Sequence, residues 1–268
     1  MKKLMSSLII AGLLLANTSL AYGATNAQLI DQSKVNEGVL TVQYQQPSNK
    51  VSKLLVEKDG KRYTYDLPKT AEKQNFPLQL GNGQYTVRVA ELVEGNKYKE
   101  VAKETVTVNL VNARAPYLQS VQEINWNANS QAVKVAAELV KGLNNETDKI
   151  NAIYNYVITN IKYDYDKAPT VKAGYLPNID QTLAVQKGIC YDYAALLASM
   201  LRSQGIPTKL VKGYAPNIDG FHAWNEVYVA SQNQWITIDT VYDAMMAGSN
   251  VEVNMAKDSK LFNKTEEL

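Results

Sequence analysis

The period of the hydrophobic pattern changes once along this chain, and that change constrains its organisation more than any other feature. From about Asn36 to Asn112 apolar and polar residues tend to alternate, as in half-buried strands whose successive side chains point to opposite faces. Val39 to Tyr44, Leu54 to Lys58, Lys61 to Tyr65 and Gln84 to Val89 are runs of this kind. Asp59-Gly60 separates two of them. Both positions of such a two-residue turn need φ > 0, so the pair predicts a hairpin. Gly95-Asn96 precedes Tyr98 to Ala102, and Thr105 to Val111 predicts one more strand. Short strands at this spacing predict a small antiparallel sandwich. No Asp, Glu or His cluster in it suits chemistry, so a spacer or adhesion module is expected.

After a boundary at Ala113 to Pro116 the pattern becomes helical. Ser130 to Leu143 predicts an Ala/Val/Leu helix with Gly142 near its end. Ile150, Ile153, Tyr154, Val157, Ile158 and Ile161 form one apolar stripe of a second helix, capped by Asn145 or Thr147. This stripe is expected to be core.

Residues 1–23 carry the layout of a secretory signal peptide. Met1-Lys2-Lys3 is basic, Leu4 to Ala16 is mostly apolar, and Ala21-Tyr22-Gly23 offers small residues before a cut ahead of Ala24. The apolar run is too short for a comfortable membrane span. Lys2 and Lys3 are its only charges, so its removal leaves 26 basic and 26 acidic residues. A chain without net charge is not expected to be a field-driven binder of nucleic acid or anionic membrane. At 46% apolar residues it can bury a real core. One Cys and one His cannot build a Cys/His zinc site, and no internal disulfide can form. No metal or cofactor is expected. The product is read as secreted and extracellular, with no stable membrane insertion after cleavage.

The residues suited to chemistry lie between Gly174 and Asp243. Gly188-Ile189-Cys190-Tyr191-Asp192-Tyr193 opens an Ala/Leu-rich helix that Gly205 stops. A thiol at a helix N-terminus meets unpaired N–H groups and the positive end of the dipole, which both favour thiolate. Three strand-like segments follow, 209–214, 223–229 and 235–238. His222 opens the second and Asp239 follows the third. An antiparallel hairpin of the last two makes His222 and Asp239 cross-strand neighbours. With the Cys190 helix packed on that sheet, Cys190 is the nucleophile, His222 moves the proton and Asp239 orients the imidazole. Asp243 is the nearby rival for the third position. Asp164-Tyr165-Asp166 is too short for a calcium loop and reads as a solvated turn.

These blocks, with Gly205-Ile206-Pro207, Gly213-Tyr214, His222-Ala223-Trp224-Asn225-Glu226-Val227 and Trp235-Ile236-Thr237-Ile238-Asp239, resemble in order and context the core of the transglutaminase-like superfamily, over about Ile150 to Tyr242. The resemblance implies an α+β fold: a papain-like core with its nucleophile at a helix N-terminus packed on an antiparallel sheet, behind a β-sandwich-like module. The expected layout is a signal peptide at 1–23, the β module at 36–112 and a catalytic domain at 115–268. The similarity extends to secreted proteins of Gram-positive bacteria. It implies the triad Cys190, His222 and Asp239, and a thioester formed from a glutamine carboxamide or peptide amide and passed to an amine or water. Protein or peptide is the implied substrate, and cell-wall or surface contact through the β module is the implied partner. A cysteine peptidase or amidase acting on peptides or cell-wall material, and a non-catalytic extracellular binding protein, are the alternatives. An aromatic oxyanion donor is also implied; Tyr175, in the loop Gly174 to Asp180, resembles that position, with Tyr163 as its rival.

Overall fold

The computed structural model describes residues 29–46, 50–247 and 253–268; the expected signal peptide lies outside them. The first half contains β1 (Ile30–Asp31), β2 (Val39–Val42), β3 (Ser52–Lys58), β4 (Lys61–Asp66), β5 (Gln74–Pro77), β6 (Gly83–Glu94) and β7 (Lys97–Val108). They form an antiparallel sheet of order β1-β2-β5 and another of order β4-β3-β6-β7. Leu40 and Phe76 of the first sheet and Leu54, Val56, Val87 and Val89 of the second are fully buried in the same cluster. The Tyr65 and Phe76 rings meet across the sheets with centroids 5.1 Å apart. Asp59 and Gly60 take φ 49° and 77° between β3 and β4, the left-handed geometry a two-residue hairpin needs.

Where two strands are expected after Gly95-Asn96, there is one strand of 12 residues. Register shifts between Val89 and Ala90 and between Leu92 and Glu94 absorb the misfit, so the β6–β7 ladder is not broken. The segment read as a boundary is packed rather than open. A single 3-10 turn at Ala115–Leu118 buries Pro116 and Tyr117, and Val121 and Ile124 bridge each other and are buried.

The second half contains α1 (Gln131–Leu139), α2 (Glu146–Asn160), β8 (Lys162–Tyr163), α3 (Ile179–Val185), β9 (Lys187–Gly188), α4 (Cys190–Ser203), β10 (Thr208–Tyr214), β11 (His222–Val229), β12 (Gln234–Ile238), α5 (Thr240–Met246) and β13 (Asn263–Glu267). α1 is shorter than its sequence suggests: Val140 closes it, and Gly142 takes φ 78° in the turn beyond. Asn145 caps α2, its side chain accepting the Thr147 N–H at 2.8 Å.

α4 is the axis of this half. Every residue from Asp192 to Arg202 is buried, because α1, α2, α3, α5 and the sheet all pack on it. A helix enclosed on all sides needs small or apolar residues all round, which is what Ala194 to Leu201 supply. It ends in a Schellman pair, Ile206 N–H to Leu201 O at 3.1 Å and Gly205 N–H to Arg202 O at 3.0 Å, with Gly205 at φ 76°. The sheet runs β12-β11-β10-β13, all antiparallel. Its last strand is polar throughout and carries no hydrophobic pattern. Gly213 admits it: a Cβ there would lie 2.1 Å from the Asn263 carbonyl oxygen.

One buried apolar cluster runs through both halves, from Ile30 to Leu268. Polar bonds fix the joint. Gln122 Nε2 donates to Asp66 O at 2.7 Å and Gln79 Nε2 to Glu267 O at 3.2 Å. The Arg202 guanidinium is buried and donates to the carbonyls of Thr208, Gln119 and Leu268. Among the described residues no helix is long and apolar enough to cross a membrane.

Candidate active site

Cys190 is the first residue of α4 and half-buried. First-turn N–H groups of a helix have no acceptor within it, so the Cys190 N–H and the thiol share the positive end of a 14-residue helix. Asp192, in the same turn and fully buried, shapes this end. Its Oδ2 accepts the Ile189 N–H at 2.9 Å and Lys167 Nζ at 2.6 Å, and its Oδ1 accepts the Tyr175 hydroxyl. The carboxylate folds back over Gly188, where a Cβ would come within 2.7 Å of Asp192 Cβ. Only glycine leaves that room.

His222 and Asp239 are each 2% exposed. The ladder pairs Asn225 with Ile238, which continues to Trp224 opposite Asp239. His222 is therefore the diagonal neighbour of Asp239, two residues beyond the directly facing position expected from the sequence. Both side chains share one face of the sheet, and diagonal pairs lie within reach of long side chains. His222 Nε2 and Asp239 Oδ2 are 2.9 Å apart. Asp239 Oδ1 accepts the Tyr242 N–H at 3.1 Å as the N-cap of α5, so a helix start fixes the carboxylate. With Nε2 occupied, Nδ1 is left for the Cys190 thiol, a side-chain hydrogen-bond partner of the ring. Burial pulls the imidazole pKa down. Hydrogen bonds to Asp239 and Cys190, with the charges of both, outweigh that and bring it up to about 9. His222 is thus protonated at neutral pH.

Asn225 was not singled out by the sequence. Its Nδ2 donates to Ala194 O of α4 and Lys209 O of β10, both at 3.0 Å. It ties the Cys190 helix to the strand that carries His222. Trp224 stands next to His222 on the same face, rings 6.3 Å apart and nearly parallel. Its indole N–H is buried and has no acceptor among the described residues.

Asp243 lies elsewhere. It accepts the Tyr154 hydroxyl at 2.8 Å and pairs with Lys257, joining α2 to α5. Burial raises its pKa. Asp164 to Asp166 form a turn in which Asp164 Oδ1 accepts the Asp166 and Lys167 N–H groups and Lys187 pairs with both carboxylates. Tyr175 does reach the site, but its hydroxyl donates to Asp192 and accepts from Lys167. A hydroxyl has one proton, and here a carboxylate holds it, so it is not directed at an oxyanion. Tyr163, on β8, is close enough for the Cys190 charge to add to the burial that raises its hydroxyl pKa.

Cys190 and His222 lie in a cleft of about 410 Å³, within the roughly 300–1,000 Å³ of sites that enclose ligands. Tyr175 and Tyr191 line it, as do Thr64, Tyr65 and Asp66 of β4. Glu123 lies between, hydrogen-bonded to Tyr191 and reached by Lys212 at 3.3 Å. The β4 residues carry no local sequence signal for this, because Cys190 and His222 are more than a hundred positions away. A nucleophile, a proton carrier and an orienting carboxylate bordering an open cleft form an arrangement suited to acyl transfer.

Residues 133–240 match the transglutaminase-like superfamily model, and this segment belongs to that superfamily. Over 122 residues the chain is 30% identical to YebA of Bacillus subtilis, covering 39% of this chain and 16% of that one. Over 119 residues it is 29% identical to a UPF0252 protein of Methanocaldococcus jannaschii, covering 41% and 33%. The matched stretch is thus a third or less of either relative. The periplasmic domain of TgpA from Pseudomonas aeruginosa aligns in three dimensions with 18% identity, covering 76% of this chain and 69% of that domain, at a TM-score of 0.40.

Proposed function

Starting from a transglutaminase-like core, we propose that the protein is an exported thiol enzyme that forms a thioester on Cys190 from glutamine carboxamide or peptide amide carbonyls. The observation that carries this reading is the chain of contacts from Cys190 through His222 to Asp239 on the border of an open cleft. The Cys190 thiolate attacks the carbonyl carbon. The backbone N–H of Cys190 faces the charge that develops on oxygen. His222 gives its proton to the departing nitrogen, so the C–N bond breaks and ammonia or an amine leaves. Water or a primary amine then attacks the thioester, His222 takes the proton, and an acid or a new amide is released with the thiolate restored. Asp239 holds the ring through both steps. Export rests on the signal-peptide pattern of residues 1–23, and protein or peptide is the substrate class.

The test incubates the protein with a glutamine-containing protein, with and without a labelled primary amine. Cys190-dependent label incorporation identifies transfer; ammonia or peptide release without incorporation identifies hydrolysis. Absence of both, with Cys190 alkylated by iodoacetamide no faster than a free thiol, would leave a binding protein as the correct reading.

A further inference from the structure

β4 is an edge strand, and three of its residues line the cleft that holds the nucleophile. In the sheet order β4-β3-β6-β7 it has a partner on one side only. The bond from Leu67 N–H to Ser52 O fixes which residues face β3. In an antiparallel ladder alternate residues bond inward, so Tyr65 and Tyr63 bond to β3 while Arg62, Thr64 and Asp66 turn their N–H and C=O groups outward. The Asp66 carbonyl is taken by Gln122. Thr64 is exposed and borders the Cys190 cleft, and among the described residues its outward N–H and C=O meet no backbone partner. The opposite edge of the sheet differs. β7 is charged as β4 is, but it contributes nothing to the cleft.

We infer that the acyl-donor polypeptide enters the cleft as an extended strand, pairing its backbone with the open edge of β4 at Thr64 so that an amide side chain or peptide carbonyl meets Cys190. This rests on the thioester reading above and names how its substrate is held. Backbone pairing to an exposed edge supplies affinity without demanding a particular sequence. It also commits the enzyme to unfolded or loop segments, because only an extended chain can add a strand. The β module is then part of the substrate site rather than a spacer.

The test is Thr64→Pro, which removes the outward N–H. Proline is tolerated at edge positions whose N–H points away from the sheet. Thr105→Pro makes the same change at the outward position of β7 and serves as control. Turnover of dimethylated casein with a dansylated amine should fall about tenfold in kcat/KM for Thr64→Pro. It should be unchanged for Thr105→Pro, with iodoacetamide alkylation of Cys190 equal in all three proteins. Turnover of Thr64→Pro within twofold of the parent overturns strand pairing and leaves the thioester reading intact. A parent that turns over no amide sinks both. Should Thr64→Pro misfold, hydrogen exchange decides: in Cys190→Ala the Thr64 amide should gain protection when casein is added, and unchanged exchange overturns the inference.

Discussion

The two walls of the Cys190 cleft are built on opposite principles. On the α4 side each group that orients a reacting atom is buried and bonded: Asp192 to Lys167, Tyr175 and Ile189, Asp239 to His222 and Tyr242, Asn225 to two carbonyls. On the β4 side Thr64 and Asp66 are exposed, and the backbone edge is open at Thr64, with the Asp66 carbonyl held by Gln122. Preorganised groups lower a barrier because they need no rearrangement during reaction, whereas an open edge keeps its hydrogen bonds for an incoming chain. Changes on the first wall should therefore act on kcat and changes on the second on KM.

The largest effect expected is at His222. Replacing it by alanine removes the proton carrier and should cost roughly 10⁴-fold in turnover or more; amide turnover near the parent rate would break the contrast outright. Asp239→Asn should cost roughly 10³–10⁴-fold, with the fold kept because asparagine also caps a helix. Asp243→Asn should do the reverse, sparing the rate while losing about 1–3 kcal/mol of stability through its bonds to Tyr154 and Lys257. Exchanged outcomes would place the orienting carboxylate at Asp243. Tyr175→Phe should slow turnover less than about tenfold. A loss of 10²–10³-fold, the usual effect of removing one oxyanion donor, would return the Tyr175 hydroxyl to that role.

The smallest effect concerns pH. His222 titrates near 9 in the folded protein against an ordinary 6.5, so the folded state binds its proton more tightly than the unfolded one. Its contribution to stability is complete below pH 6.5 and disappears as pH rises through about 9. Thermal unfolding of the parent and His222→Gln across that range should show a gap that narrows with rising pH; a gap that widens contradicts the assignment. In Cys190→Ala the imidazole should titrate lower, since the thiol's hydrogen bond and charge are both removed.

What the sequence discloses follows how local each interaction is. The Asp59-Gly60 hairpin, the α2 stripe and the Gly205 stop rest on neighbours a few residues apart and read directly. Cys190, His222 and Asp239 were legible because each stands at the end of an element, where element order alone brings them near. The register at Asp239 was displaced by two residues, since the turn between β11 and β12 leaves Asn225 opposite Ile238. Nothing local announces β13, which is polar throughout and held beside a glycine. The same is true of Thr64 and Asp66, which share the cleft with Cys190 and His222 more than a hundred positions along the chain. Asp192 was visible in principle: an acid in the first turn of a helix is a recurrent cap.

The central claim is that Cys190 carries the acyl group. Acid quenching of the protein during turnover of a glutamine-containing protein, followed by peptide mapping, tests it directly. The account predicts a hydroxylamine-labile acyl adduct on the Cys190 peptide, absent from Cys190→Ala. Continued amide turnover with no adduct on that peptide, or an adduct on another residue, would contradict it.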